Sequence, residues 1–170
     1  PERTRSLALI SAASHALPAR PAIAATLFEV FLNDFVFWSM VNLSPEGLLA
    51  ALGVPMDVQS QLPPEDVEEL HAFLESIMPM GARKDGQLLE QHMSEYDAEK
   101  IGDIQAPTLV LHARDDTLVF FDQGEFSAEN IPEAALIPIE KGGHLALMMD
   151  MNRGAMEELQ AFLGMHNIRP

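Results

Sequence analysis

"LHARDDTLV" (111–119) and "KGGHLALMM" (141–149) are the stretches whose reading decides the fold. The first leaves an apolar run, "APTLVLHA" (106–113), through two adjacent acids, as a buried strand does when it enters an acidic turn. The second lifts a histidine out on a Gly-Gly hinge. It follows another apolar run, "AALIPIE" (134–140), whose Pro138 suits an edge strand. Between the two lies "DDTLVFFDQGEFSAENI" (115–131), a loop leading into a short helix. "NRGAMEELQAFLGM" (152–165) then reads as an amphipathic helix with Gly164 near its stop. Strand, helix, strand, helix predicts a parallel α/β arrangement.

Residues just beyond the carboxyl ends of neighbouring parallel strands converge on one crevice. Asp116 follows the first strand and His144 the second, so both are expected to point into it. A serine nucleophile needs a base within reach, and that base needs a carboxylate to fix its tautomer and stabilise the imidazolium. Asp116 as acid and His144 as base are the candidate catalytic residues. Asp115 is expected to support its own turn by bonding to the backbone. His112, inside the strand, reads as a structural histidine, and His15 as a loop residue. Ser44 reads as a helix cap and Ser127 as helix surface. His71 and His92 fall on different predicted helices with no His-x-x-x-His pair, so no metal site is expected, and no cofactor either.

Working outward, "TRSLALISAA" (4–13) is a short apolar run that suits a strand buried on both faces. "HALPARPAI" (15–23) is broken by two prolines into a loop. Residues 22–42 are apolar on almost every side at helical spacing, with Phe28, Phe31, Phe35 and Trp38 forming a stripe. "SPEGLLAALG" (44–53) is a helix with Ser44 as N-cap, Pro45 in its first turn and Gly53 as its stop. "PPEDVEELHAFLESIM" (63–78) is another, "MPMGARKDG" (78–86) a turn-rich break, and "QLLEQHMSEYDAEK" (87–100) a further helix. The aromatic stripe with Met40 reads first as helix-packing core. Where it faces the crevice, Phe35 and Trp38 with Met148 are the candidate lining of a pocket for a small apolar substrate group.

An apolar strand, an acidic turn and a Gly-His before a closing helix resemble the α/β-hydrolase family, which commonly carries Gly-x-x-Asp in that turn. Here the turn is "ARDD", with Ala113 in the glycine's place, so the motif points to Asp116 as the acid, 28 residues before His144. The order acid then histidine agrees with the family's order of nucleophile, acid, histidine. The resemblance implies three segments. Residues 1–19 would be a core strand and loop, 20–102 a helical cap, and 103–170 a C-terminal core of the last strands. It implies about three mostly parallel strands with a helical insertion, the C-terminal half of the fold.

The family's nucleophile sits in a Gly-x-Ser-x-Gly elbow, and no serine here has those neighbours. Ser11 and Ser14 lie near the crevice but lack flanking glycines. The elbow is expected upstream of Pro1 by about 20 residues, one helix and its linkers, and the oxyanion donors with it. The chain alone is therefore expected to be inactive. Its parent is expected to be a serine hydrolase of esterase type, or an enzyme of the same scaffold with an Asp nucleophile. The alternatives are a non-enzymatic α/β binding or oligomerisation module, or one half of a split enzyme. Its partners would be a small-molecule substrate and either the missing N-terminal half or a second copy, recruited by the exposed sheet edge.

Composition narrows the rest. The 170 residues suffice for a substantial core, and 48% are hydrophobic. The formal charge of −16 argues against nucleic acid or an anionic membrane as partner. The absence of cysteine removes disulfides, thiolate metal sites and a Cys nucleophile. No run approaches the length of a membrane span, and a cytoplasmic location is the expectation.

Overall fold

β1 (Leu7–Ile10), β2 (Thr108–Ala113) and β3 (Ala135–Ile139) form one parallel sheet in the order β1-β2-β3. The computed structural model describes residues 4–15, 30–86 and 98–166. β2 is central and buried at every position, which is why its sequence is an unbroken apolar run rather than an alternation. Leu9 pairs with Val110, and Leu111 with Ile137, so the carboxyl ends of the strands lie side by side. Pro138 sits opposite His112 on β3, at an edge of the described sheet, where its missing N–H costs no ladder bond. β1 is shorter than the apolar run around it. It ends at Ser11, which takes a left-handed φ of 46° after a last bond from its N–H to the Leu111 carbonyl.

The two faces of β2 divide by the two-residue period. Leu109, Leu111 and Ala113 pack with Ile139 and Leu159. Leu159 belongs to the closing helix, Arg153–His166. His112 points to the other face, against the helix Asp122–Asn130, whose Gly124 leaves no room beside the ring for a Cβ. The closing helix runs on through Gly164, past its expected stop.

The segment between β1 and β2 builds a second core from α1 (Asp34–Leu43), α2 (Pro45–Ala51), α3 (Met56–Gln59) and α4 (Pro64–Ser76). Phe37 and Val41 of α1 meet Leu48, Leu49, Val54, Val58, Leu70 and Leu74 there, each buried. Sequence periodicity implied one helix over 22–42. The described part instead breaks at Leu32 and restarts at Asn33, whose side chain accepts from the N–H groups of Phe35 (3.0 Å) and Val36 (3.3 Å). An Asn that can cap a new turn outcompetes continuation of the helix. Ser44 occupies the N-cap position of α2 but makes no side-chain capping bond, and Pro45 follows it. The break after α4 contains a 3-10 turn, Met80–Arg83. The helix expected over 87–100 lies outside the described residues except for its last positions, which enter a 3-10 turn, Ala98–Asp103. Among the described residues no helix is long and apolar enough to cross a membrane.

Candidate active site

The turn after β2 is held by its own acid. The Asp116 N–H donates to the Ala113 carbonyl (3.3 Å), and carboxylate Oδ1 accepts from the N–H groups of Leu118 and Val119, both at 2.9 Å. That leaves Oδ2 for side chains. His144 Nδ1 lies 2.9 Å from it and His112 Nε2 3.5 Å from it. Ala113, in the place of the glycine common in similar turns, is fully buried in the sheet core. The structure thus brings Asp116 and His144 together at the carboxyl ends of adjacent strands.

Asp116 is buried to 3% exposure. Burial pushes its carboxyl up, but the bonds from His112, His144 and the Val119 N–H outweigh that and hold it at about 2. The pH dependence follows from that direction. A carboxyl depressed in the folded state stabilises the fold above its ordinary value of 3.8, and the contribution disappears as pH falls through about 2. Acid titration followed by circular dichroism is expected to lose about 2 kcal/mol across that window. Asp116→Asn is expected to flatten it.

His112 is fully buried, as a structural histidine should be. Its Nε2 donates to the Val119 carbonyl at 2.8 Å, tying strand to turn. Burial opposes charge on the ring, Asp116 and the Val119 carbonyl favour it, and the balance raises its pKa. Among the described residues its Nδ1 is buried with no hydrogen-bond partner.

The histidine loop is held from outside itself. Asp115 does not support its own turn as expected. Its carboxylate reaches across to accept the N–H groups of Gly142 (3.1 Å) and Gly143 (2.8 Å). Adjacent acids therefore divide the work: Asp115 fixes the backbone before His144, and Asp116 fixes its ring. Gly143 adopts φ +63°, and a Cβ there would lie 2.0 Å from the Gly53 carbonyl oxygen, so only glycine fits. The His144 side chain is 24% exposed, and its Nε2 meets no hydrogen-bond partner among the described residues.

Other candidates fall elsewhere. Ser14 is buried with its hydroxyl bonded to that of Ser127. Ser127, expected on the helix surface, is 1% exposed, because the irregular segment following β1, with Ser14, covers that side of its helix. Gln123 gathers this corner: its Oε1 accepts the N–H groups of Ser14 (2.7 Å) and His15 (2.9 Å). His15 also meets Gln123 through its ring and packs edge-on against Phe126. Phe35 and Trp38 stack on each other with 73% and 48% exposure. They line an open depression with Asp34, Glu75, Met78 and Pro79, in which neither Asp116 nor His144 takes part. The reason is register: Phe37 and Val41 turn the other side of α1 into the core. Met148 is partly buried against the helical core. His71 bonds the Val41 carbonyl at 3.2 Å. Phe28 and His92 lie outside the described residues. Among the described residues no group of three His, Asp or Glu gathers as a metal site would require.

Comparison with solved structures supplies the context. An α/β-hydrolase fold protein from Nakamurella multipartita superposes on 96% of this chain with a TM-score of 0.67 and 22% identity, over 61% of its own length. This is a partial α/β-hydrolase fold. Est816, an N-acyl homoserine lactone degrading enzyme, matches 95% of the chain at a TM-score of 0.63 and 21% identity, over 59% of its length. A hydrolase from Oleispira antarctica matches 94% at 0.62 and 20% identity, over 56% of its length. The chain thus spans about 60% of the length of these α/β-hydrolase folds. In sequence, it is 41% identical over 56 residues to RutD of Pseudomonas savastanoi pv. phaseolicola, a protein named for carbamate hydrolysis. That match covers 32% of this chain and 22% of RutD. No protein-family model matches the chain.

Proposed function

We propose that this chain carries the acid and the general base of a hydrolase active site, whose nucleophile and oxyanion donors come from residues outside it. The observation that carries the reading is the 2.9 Å bond from His144 Nδ1 to buried Asp116, with no partner on Nε2 among the described residues. A carboxylate bonded to Nδ1 holds the proton on that nitrogen. The Nε2 lone pair is then free to take a proton from a nucleophile or a water. With a serine nucleophile, His144 accepts the hydroxyl proton as the oxygen attacks the carbonyl carbon. It then returns that proton to the leaving group as the tetrahedral intermediate collapses to an acyl-enzyme. Water, activated by the same nitrogen, releases the acid. With a carboxylate nucleophile, only the second, water-activating step falls to His144. Asp116 stabilises the imidazolium in both.

The substrate class we assign is a small ester, or a related acyl compound, with an apolar group. Names among the similar proteins, a lactone-degrading enzyme and a carbamate hydrolase, belong to the same reaction class. Residues 20–102 act as the cap in this reading. The outer edge of β1 has no partner among the described residues and is the place where the nucleophile-bearing half would continue the sheet.

The test is His144→Gln in a polypeptide that contains both halves. Hydrolysis of p-nitrophenyl butyrate is expected to fall by about 10⁴-fold or more, while the 170-residue chain alone neither turns over nor labels with a fluorophosphonate. Turnover that survives the substitution would overturn the assignment of the base. Labelling of the chain alone would overturn the external nucleophile.

A further inference from the structure

The loop that carries His144 belongs to two cores at once. Ala146 packs into the sheet core, whereas Met149 is buried in the core of the helical segment, with Leu145 and Met148 partly buried against it. Two polar contacts reinforce this. At the start of the loop, the His144 N–H donates to the Gly53 carbonyl at 3.0 Å, just past the end of α2. At its end, the Asp150 N–H lies 3.2 Å from each carboxylate oxygen of Asp66, in the first turn of α4.

Both contacts are built for close approach. Gly53 adopts φ +82°, and a Cβ there would come within 2.8 Å of Leu118 Cβ and 2.9 Å of His144 Cβ. It is wedged between the acid turn and the histidine, where only a bare backbone fits. Asp66 is 2% exposed, and a buried carboxylate is retained only where it is bonded. Its bonds to the Asp150 N–H account for it, since no cation lies within ion-pair distance among the described residues.

We propose that Gly53 and Asp66 are positioning residues for His144: the helical segment, and not the sheet alone, aims the base. This rests on the catalytic reading of His144 given above. The sheet contributes Asp115 and Asp116 on one side of the loop, and the helical segment contributes the Gly53 carbonyl and the Asp66 carboxylate on the other. An undocked helical segment would leave His144 tethered on one side only. A base displaced by about 1 Å costs on the order of 10²-fold in rate.

The experiment replaces Asp66 and watches His144. The 170-residue chain, labelled with ¹⁵N-histidine, reports the His144 tautomer by NMR. The two-half polypeptide reports kcat and KM for p-nitrophenyl butyrate. Asp66→Ala is expected to mix the His144 tautomers and to lower kcat by about 10²-fold with KM nearly unchanged. Asp66→Asn, which keeps one acceptor oxygen, is expected to give the same changes at smaller amplitude. It carries the test if the alanine variant does not fold. A purely structural role would lower thermal stability and leave both readouts alone at 25 °C. A folded Asp66 variant with an unchanged His144 spectrum and unchanged kcat overturns the proposal. The two readings fail separately. Loss of turnover in His144→Gln with no effect of Asp66 sinks the clamp alone. A His144 spectrum that responds to Asp66 while His144→Gln retains turnover supports the clamp and sinks the catalytic reading.

Discussion

On the proposed catalytic reading, Asp116→Asn is expected to cut kcat/KM of the two-half polypeptide by about 10⁴-fold while leaving the chain folded. The direction follows from which oxygen does what. Oδ1 accepts two backbone N–H groups, from Leu118 and Val119, so an asparagine will keep its carbonyl oxygen there. Its amide nitrogen must then occupy the Oδ2 position, facing His144 Nδ1. A donor in that place demands a lone pair on Nδ1 and drives the ring proton to Nε2, the nitrogen that must be free to act as base. The same amide would also face the His112 Nε2–H, 3.5 Å from Oδ2, donor against donor. Steady-state kinetics checks the rate, and circular dichroism checks the fold. A variant within tenfold of the parent would mean that Asp116 does not set the tautomer. Asp115→Asn is not equivalent. Among the described residues its carboxylate bonds to the backbone N–H groups of Gly142 and Gly143, and its loss acts through placement of the loop.

Gly143→Ala carries the largest expected effect on stability. A left-handed φ of 63° costs an alanine about 1 kcal/mol. A Cβ placed 2.0 Å from the Gly53 oxygen also cannot be accommodated unless the loop moves. Together these are expected to destabilise the chain by about 3 kcal/mol, read as a lower midpoint in urea with an unchanged slope. Movement of the loop also breaks the bonds that Asp115 and Gly53 make to it. The His144 tautomer is therefore expected to become mixed even where the protein remains folded. An alanine variant with the midpoint of the parent would show that the approach of Gly143 to Gly53 is looser than described.

What could be read in the sequence was what is local. Two acids leaving an apolar run and a histidine after two glycines are each contained in a few residues. The parallel arrangement then converts strand ends into neighbours. That sufficed to bring Asp116 and His144 together, and β2 and β3 fall where the apolar runs put them. The role of Asp115 was not legible, because its acceptor bonds run to residues 27 and 28 positions away and nothing beside it in sequence points there. Asp66 is hidden for the same reason at a separation of 84. In the sequence it is one of several acids at a helix start, where the helix dipole alone would account for it. Ser127 looked like surface because its cover comes from Ser14, 113 residues earlier. The aromatic stripe misled in another way. Phe35 and Trp38 share helical spacing with residues before Asn33, but the new cap resets the register, and Phe37 and Val41 become the buried side.

The measurement that tests the central claim most directly is the ¹⁵N spectrum of the His144 imidazole in the unmodified chain at neutral pH, assigned by comparison with His144→Gln. The account predicts that the neutral form of the ring is a single tautomer, with the proton on Nδ1, the lone pair on Nε2 and an Nδ1 proton shifted downfield by Asp116. A ring protonated on Nε2, or one averaging between both tautomers, would contradict it. Asp116 would then not be holding His144 as a base.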